Sequence, residues 1–396
     1  MTDFGDTGVF IPRRSFIPII RRHEFAGLYA AHSYLRPPVI SAALSSDEAL
    51  YNKVARKVIS ETLRMKKGET LTIESWNNGL PFVRRLVVEA RRIGAIPVVI
   101  FEDESAYIEG VRVAPKDVLG SMGKQEYGLL AGSDAYVFIP GPPIGAYSPR
   151  LSRQEVADST KYNRSWYEAA EKARLRGARF PFGYVGKDYA KLLRKRPEEV
   201  ARHQLKAALA DFSGISARGR ALGQALQDGA QGTVLTTGGK LEFALRGYLE
   251  IQDGLVDEND VEGGDNMAYV PPGYVSKQVD PASASGTVAL SPAVTRLGLL
   301  AEARLEFEEG KLVGWKSSGS PKILAELVEA VEPEKRALSS VMVGLNPLMR
   351  YENGQDRMVS GAIGLSGFGF MGTVRRGSLA VAGKALVHKG KLAPSG

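Results

Sequence analysis

The spacing of apolar positions changes along the chain, and the change divides it. Leu50, Val54, Val58 and Leu63 recur at helical spacing behind Ser45-Ser46-Asp47-Glu48, a capping box with Glu48 three residues after Ser45. That helix is expected to stop near Lys67-Gly68, and Thr70-Leu71-Thr72-Ile73-Glu74 then reads as a strand. Asn78 can cap a second helix, whose apolar face is Phe82, Leu86, Ala90 and Ile93 and whose end is Gly94. Pro97-Val98-Val99-Ile100-Phe101 is an unbroken apolar run, which predicts a strand buried on both faces of a parallel sheet. Asp134 to Ile139 is another such strand, ending at Pro140-Gly141-Pro142-Pro143. Helix, strand, helix, strand is the order of an α/β domain.

Residues 152–228 read as mostly helical, with a break at Phe180-Pro181-Phe182-Gly183. After about residue 230 the period shortens. Gly232-Thr233-Val234-Leu235 and Leu241-Glu242-Phe243-Ala244-Leu245 flank Gly238-Gly239 as the arms of a hairpin. Short strands punctuated by Gly, Asp and Pro continue to 320. One helix follows near 321–338, with Leu324, Leu327 and Val331 on one face, and the last 50 residues are glycine-rich and strand-like. The fold class is therefore α/β: an N-terminal α/β domain with a mostly parallel sheet over 43–229, then a β-rich C-terminal domain over 230–396. Residues 1–42 form an extension ahead of both. Its five arginines (Arg13, Arg14, Arg21, Arg22, Arg36) break every apolar stretch, so it does not read as a secretory signal, and the expected location is cytoplasmic. With Phe10, Phe16, Phe25 and Tyr29 the extension reads as an arm that packs on its own domain or a partner subunit, or as a docking arm for an acidic surface.

Composition narrows the chemistry. The 396 residues include no cysteine, which removes thiol nucleophiles, disulfides, thiolate zinc sites and iron–sulfur clusters. Only four histidines occur, His23, His32, His203 and His388, so an imidazole-rich metal site would need nearly all of them. A net charge of +8 is mild for this length and calls for no nucleic-acid partner. No apolar run approaches the roughly 18 residues of a membrane span.

Three local patterns have a plain structural reading beside a functional one. Gly367-Phe368-Gly369-Phe370-Met371-Gly372 matches a dinucleotide-binding spacing, yet Thr373-Val374-Arg375-Arg376-Gly377 has no helical face, and a packed β corner accounts for the glycines better. Asp257-Glu258-Asn259-Asp260 with Glu262 and Asp265 lacks the alternation of a cation loop and reads as a solvated acidic turn. Glu102-Asp103-Glu104 follows a strand, where α/β proteins place ligands, and reads equally as a helix N-cap.

Several blocks, in order, carry a family resemblance. Residues 53–103 run helix, Lys66-Lys67-Gly68-Glu69, strand and helix, then Arg91-Arg92-Ile93-Gly94-Ala95-Ile96-Pro97-Val98-Val99 to an acidic end. Asp265-Asn266-Met267-Ala268-Tyr269-Val270-Pro271-Pro272-Gly273-Tyr274-Val275 follows a strand pair. Gly286-Thr287-Val288, Glu306-Phe307-Glu308-Glu309-Gly310-Lys311-Leu312-Val313 and Gly344-Leu345-Asn346-Pro347 come next. From about residue 50 onward this resembles the thermophilic metallo-aminopeptidases of the aminopeptidase T and S type. The resemblance implies an α/β domain plus a β-rich domain, a dimer, and a two-metal peptidase site built from glutamates, histidines and an aspartate in the second domain.

The implied ligands do not carry over. Tyr274 stands at the glutamate of the family's Gly-Glu-Val segment. Ser339, Ser340, Val341 and Met342 offer no glutamate, and Gly364 of Gly361-Ala362-Ile363-Gly364 stands at a histidine position. The segment 375–382 brings Arg375 and Arg376 where the family has a His-x-Asp pair, and no histidine lies between 204 and 387. Two metal ions need several anionic or imidazole ligands, and added cations repel them. The expectation is a peptidase fold with no metal and no cofactor, in which Lys277, Lys316, Arg350, Arg357, Arg375 and Arg376 fall in or near the segments lining the old cavity. Such cations suit a carboxylate or phosphate. Tyr269 and Tyr274 would add an aromatic wall, and Asn266 and Asn346 amide hydrogen bonds. The alternative is that the cations pair with Glu302, Glu352 and Asp356. The candidate ligand-binding residues are thus Asn266, Tyr269, Tyr274, Lys277, Asn346, Arg357, Arg375 and Arg376. The functional expectation is a ligand-binding or assembly protein, homo-oligomeric, taking a small anionic or peptide ligand and neither nucleic acid nor membrane. Two alternatives stay open: another chemistry on an anionic substrate, or an aminopeptidase with a relocated metal site.

Overall fold

The structure is a computed structural model, and it describes residues 46–141, 151–180, 186–295 and 297–394. The 1–42 arm, the Ser45 end of the capping box, Pro142-Pro143 and Pro181-Phe182-Gly183 lie outside the described residues. An N-terminal α/β part with a parallel sheet leads into an antiparallel β-rich part.

The parallel sheet is built from β1 (Thr70–Trp76), β2 (Ile96–Glu102), β3 (Ala135–Ile139) and β4 (Arg176–Arg179). Its helices include α1 (Ser46–Lys57), α2 (Leu80–Arg92), α3 (Glu104–Val113), α4 (Lys124–Ala131), α5 (Arg153–Thr160) and α6 (Tyr162–Lys172). The first helix gives way to one wide turn over Val58–Thr62 and ends there, five residues before the expected stop, because Arg64 takes a φ of 46°. Gly68, at φ 87°, turns the chain into β1 instead. Helix α2 begins at Leu80 with Gly79 at its N-cap, and buries Phe82, Leu86 and Ala90 as their spacing predicts.

Strand order is β2-β1-β3-β4, with a fifth strand at the far edge. That strand is Met267–Tyr269, paired in parallel with β4 through Gly177 and Met267. A segment beyond residue 230 therefore completes the sheet of the first part, and Val270 enters its core. Arg176-Gly177-Ala178-Arg179 shows no run of apolar residues, and Met267-Ala268-Tyr269, though apolar, is only three residues long. Both become strands because they close an existing sheet. On one face of the sheet Leu71, Ile73, Val137 and Ile139 pack against Val54, Val58, Phe82 and Leu86 of the helices. On the other face Tyr136 packs with Leu130 of α4 and Trp166 and Ala170 of α6.

The apolar run at 97–101 is a strand, but it is not buried on both faces. As β2 it is the edge of the sheet, with Ile96 56%, Val98 50% and Phe101 49% exposed. Its apolar character does not follow from burial among the described residues.

The β-rich part begins with β5 (Gln231–Thr236) and β6 (Gly239–Gln252), joined by the expected Gly238-Gly239 turn. After the fifth parallel strand, β7, come β8 (Tyr274–Val279), β9 (Ser285–Leu290), β10 (Ala293–Thr295), β11 (Gly298–Leu300), β12 (Ala303–Glu308) and β13 (Lys311–Lys316). A helix over Pro321–Glu329 buries Leu324 and Leu327. The chain ends in β14 (Ser340–Gly344), β15 (Ile363–Ser366), β16 (Gly372–Val374), β17 (Ser378–Val381), β18 (Lys384–His388) and β19 (Lys391–Leu392). Strand β6 is the hinge of this part. It pairs with β5 and β9 at its start, shifts register between Leu245 and Leu249, and then pairs with β8. Gly247 sits in that irregularity at φ 99°. Phe243, Phe307 and Phe368 fill the core. The 367–372 glycine segment is indeed a β corner between β15 and β16: Phe368 is fully buried, and a side chain on Gly369 would lie 2.2 Å from the Leu327 carbonyl oxygen.

Position in the sheet sets an expected stability contrast. Ile73→Ala, in the central strand, should cost about 2–5 kcal/mol. Val99→Ala, on the exposed edge strand, should cost less than about 1 kcal/mol. Urea denaturation of the two variants checks this, and equal losses would mean that β2 is covered.

Candidate functional site

Strand β1 alternates, so Leu71, Ile73 and Ser75 face one side of the sheet and Thr72, Glu74 and Trp76 the other. On that second side a cavity of about 540 Å³ lies over the C-terminal halves of the parallel strands. Glu74 and Trp76 of β1, Glu102 of β2, Phe138 of β3 and Arg179 of β4 form its floor. Helices α3, α4 and α6 close over it with Tyr107, Glu126, and the trio Tyr162, Trp166 and Tyr167. Trp76 and Tyr107 meet edge to face at 5.0 Å, as do Tyr136 and Trp166 at 5.1 Å and Trp166 and Tyr167 at 5.3 Å. The location is the one open α/β sheets use for ligands: the carboxyl ends of strands, where the order turns back between the two neighbours of β1.

Three carboxyl groups reach this cavity from three elements. Burial pushes the Glu74 carboxyl up to about 7, opposed by the hydrogen bond from the Tyr136 hydroxyl and reinforced by Glu126 and Glu102. Burial, then Glu102, pushes Glu126 up to about 6. Glu102 is raised by burial as well. The Arg179 guanidinium lies 5.1 Å from the Phe138 ring and 5.9 Å from that of Tyr269, and it favours the ionised form of Glu74. At Glu102-Asp103-Glu104 both readings hold. Asp103 accepts the Ala106 N–H at 3.0 Å as the N-cap of α3, while Glu102 lines the cavity. The Asp257–Asp265 cluster folds as a short capped helix, Glu258–Glu262, with Asp257 accepting two backbone N–H groups.

Of the residues singled out from the sequence, Asn266 and Tyr269 belong to the far edge of the parallel sheet, and the others lie in the β-rich part, spread over two faces of its antiparallel sheet. Tyr274 is opposite Gly344 and Gln252, and one step along, Met342 is opposite both Ser276 and Gly364. Tyr274, Met342 and Gly364 are therefore neighbours on three paired strands. Their surroundings are apolar: Tyr274, Met342, Met349, Met358, Val359 and Ala362 pack as one buried cluster, edged by Tyr351 and Met371. A side chain on Gly364 would meet Met342 Cβ at 3.1 Å and Arg357 Cβ at 3.4 Å.

Tyr274 donates its hydroxyl hydrogen to Glu250 at 3.0 Å, and burial raises its pKa. Glu250 also accepts from Gln252, whose amide oxygen accepts the Tyr269 N–H, so Tyr269 and Tyr274 share one network. Arg357 lies 5.7 Å from the Tyr274 ring. Lys277, three residues along β8, points to the opposite face, where it is buried against Asp228 at 2.6 Å and the Gly247 carbonyl. Arg375 is bound to Asp356 at 2.7 Å and to Asn353 beside the Tyr351 ring. Arg376, Lys316 and Arg350 are exposed. Asn346 is fully buried, donating to the Ala207 and Pro272 carbonyls at 3.1 and 2.7 Å and accepting from Leu348 N–H at 2.9 Å. Asn266 is buried before β7, at the far edge of the parallel sheet.

A dinuclear metal centre does not fit this donor set. Thioethers, a protonated phenol and a glycine are neutral and cannot offset the charge of two divalent ions. His203, on the helix beside the cluster, is engaged at both nitrogens, by Glu352 at 2.7 Å and the Arg350 N–H at 3.1 Å. Among the described residues no group of three His, Asp or Glu side chains is arranged to hold a metal ion. No helix among them is long and apolar enough to cross a membrane.

The arrangement of the two parts has a counterpart among solved structures. The chain is similar to wild-type AmpT from Thermus thermophilus, with a TM-score of 0.61 and 17% sequence identity over 87% of this chain and 99% of that one. At that identity the likeness shows the fold alone, an aminopeptidase-like arrangement of an α/β part with a parallel sheet and an antiparallel β-rich part. No protein-family model matches the chain, and no curated protein does.

Of the cavity residues, the sequence pointed only to Glu102. Glu74 had a signal in the alternation Thr70-Leu71-Thr72-Ile73-Glu74, which puts a carboxylate on the face of β1 opposite its apolar residues. Glu126, Trp166 and Arg179 had none, since only the fold brings them to Glu74.

Glu74 gives an expected pH dependence. Its folded value of about 7 lies above the ordinary 4.5, so its share of stability is complete below about pH 4.5 and is lost as pH rises to 7. Glu74→Gln keeps an acceptor for Tyr136 and should remove this loss, on the order of 2–3 kcal/mol between pH 4.5 and 8. Denaturant midpoints across that range check it. An unchanged pH profile would show that Glu74 is not held in a desolvated site.

Proposed function

We propose that this chain is an aminopeptidase-fold protein that works by binding a ligand and has given up the dinuclear metal chemistry of the family it resembles. One observation carries the reading. Tyr274, Met342 and Gly364, neighbours on three paired strands, sit within a buried, methionine-rich cluster at the positions where the resemblance puts metal ligands. A metal-bound hydroxide beside a Lewis-acidic ion needs anionic or imidazole donors, and these side chains supply none. Among the charged groups nearby, Glu250 is engaged by the Tyr274 hydroxyl at 3.0 Å, Arg357 lies over the Tyr274 ring, and Arg375 is paired with Asp356. A cavity of about 540 Å³, far from the size of an ion site, is the place in the fold suited to a small molecule.

Elemental analysis of protein purified without chelator, paired with release of amino acids from short peptides, tests this. The expected result is no stoichiometric zinc, cobalt or manganese and no metal-dependent cleavage. About two ions per chain, lost on chelation together with peptidase activity, would contradict it.

A further inference from the structure

We propose that the cavity over the parallel sheet binds an organic cation: a protonated or quaternary amine carrying an apolar or aromatic body. The proposal rests on the ligand-binding reading and adds the ligand's place and chemistry. Glu74, Glu102 and Glu126 reach the cavity from β1, β2 and α4, against one guanidinium among the described residues, that of Arg179 on β4. Buried negative charge in that excess favours a cation, whereas an anionic ligand would add repulsion in a medium less polar than water. The remaining wall is aromatic. Trp76, Tyr107, Trp166 and Tyr167 present rings to the same space, and ring faces attract a cation with apolar substituents.

Size separates an organic cation from a metal ion. About 540 Å³ is the room a small organic molecule takes, and the three carboxyl groups stand around it rather than converging on one point. Trp76 adds a second mark of an incomplete site. It is almost wholly buried in the lining, and its indole N–H has no hydrogen-bond partner among the described residues.

The groups facing Glu74 are Tyr136 on β3, Glu102 on β2, Glu126 on α4, Arg179 on β4, Tyr107 on α3, and Tyr162 and Tyr167 on α6. Burial raises the Tyr107 and Tyr136 phenols, so they stay neutral while Glu126 and Glu74 ionise at about 6 and about 7. Affinity for a permanent cation therefore rises between pH 5.5 and 8.

The test is titration of the full-length protein with benzyltrimethylammonium and, separately, with phenylacetate. Binding is followed by calorimetry and by tryptophan fluorescence, since Trp76 and Trp166 of the chain's three tryptophans line the cavity. The quaternary amine should bind saturably at one site, perturb the fluorescence, and bind at least tenfold more tightly at pH 8 than at pH 5.5. Phenylacetate should not bind. The double variant Glu102→Gln/Glu126→Gln should weaken binding about tenfold and lessen the pH dependence to the share that Glu74 keeps, with its folding checked by circular dichroism. Tyr167→Leu, at a side chain that is partly exposed, should weaken binding and serves if the double variant does not fold. No saturable binding of the amine, tighter binding of phenylacetate, or affinity untouched by these variants would overturn the proposal. Failure of this test in a protein that holds no metal and cleaves no peptide would overturn the cavity assignment and leave the loss of metal chemistry standing. Metal-dependent cleavage with cation binding intact would overturn the functional reading alone.

Discussion

Strand β1 has to satisfy two environments at once, and the rest of the α/β part is arranged around that requirement. Leu71 and Ile73 are buried against Val54, Val58 and Leu86, in a core that holds the helices to the sheet. Glu74 and Trp76, from the same short strand, point the other way into a space that the helices above do not fill. A carboxyl group there is kept from water by the sheet beneath it and the aromatic rings around it. It is tolerated because Tyr136 donates to it and because it can hold a proton near neutrality. The strand cannot shift register to relieve the strain, since a one-residue slip would expose the core residues.

The antiparallel part meets a different demand. Its strands bring Tyr274, Met342 and Gly364 together, and the space between them is closed by packing. Methionine suits that role, because its flexible thioether chain fills irregular gaps. Several polar groups of this part are matched within the protein. Tyr274 is tied to Glu250, Arg375 to Asp356, Lys277 to Asp228, and Asn346 to three backbone groups. The two parts share a sheet, since Met267–Tyr269 pairs with Arg176–Arg179, so the cavity and the methionine cluster are held by a common framework.

Much of the fold was legible in the sequence where local pattern and final environment agree. The Phe82, Leu86, Ala90 face, the Gly238-Gly239 hairpin and the glycine corner at 367–372 are such cases. Pattern and environment part at Pro97–Phe101, an apolar run that lies on an exposed sheet edge instead of being buried on both faces. Composition reports what a strand prefers, while its place at a sheet edge is decided by strands elsewhere in the chain. For the same reason Arg176–Arg179 carried no strand signal and the three residues Met267–Tyr269 only a short one. The cavity was not legible, because its carboxylates and rings come from segments up to about a hundred residues apart and are joined only by the sheet order.

Methionine methyl groups report on both sites in one experiment. Met342, Met349, Met358 and Met371 belong to the cluster at the implied metal positions, while Met267 lines the cavity. In a spectrum of protein labelled with carbon-13 at its methionine methyls, benzyltrimethylammonium should shift Met267 and leave the cluster unmoved, and added cobalt(II) should leave the cluster free of paramagnetic shifts. Large cobalt-induced shifts at Met342 and Met358, with Met267 indifferent to the amine, would contradict the account.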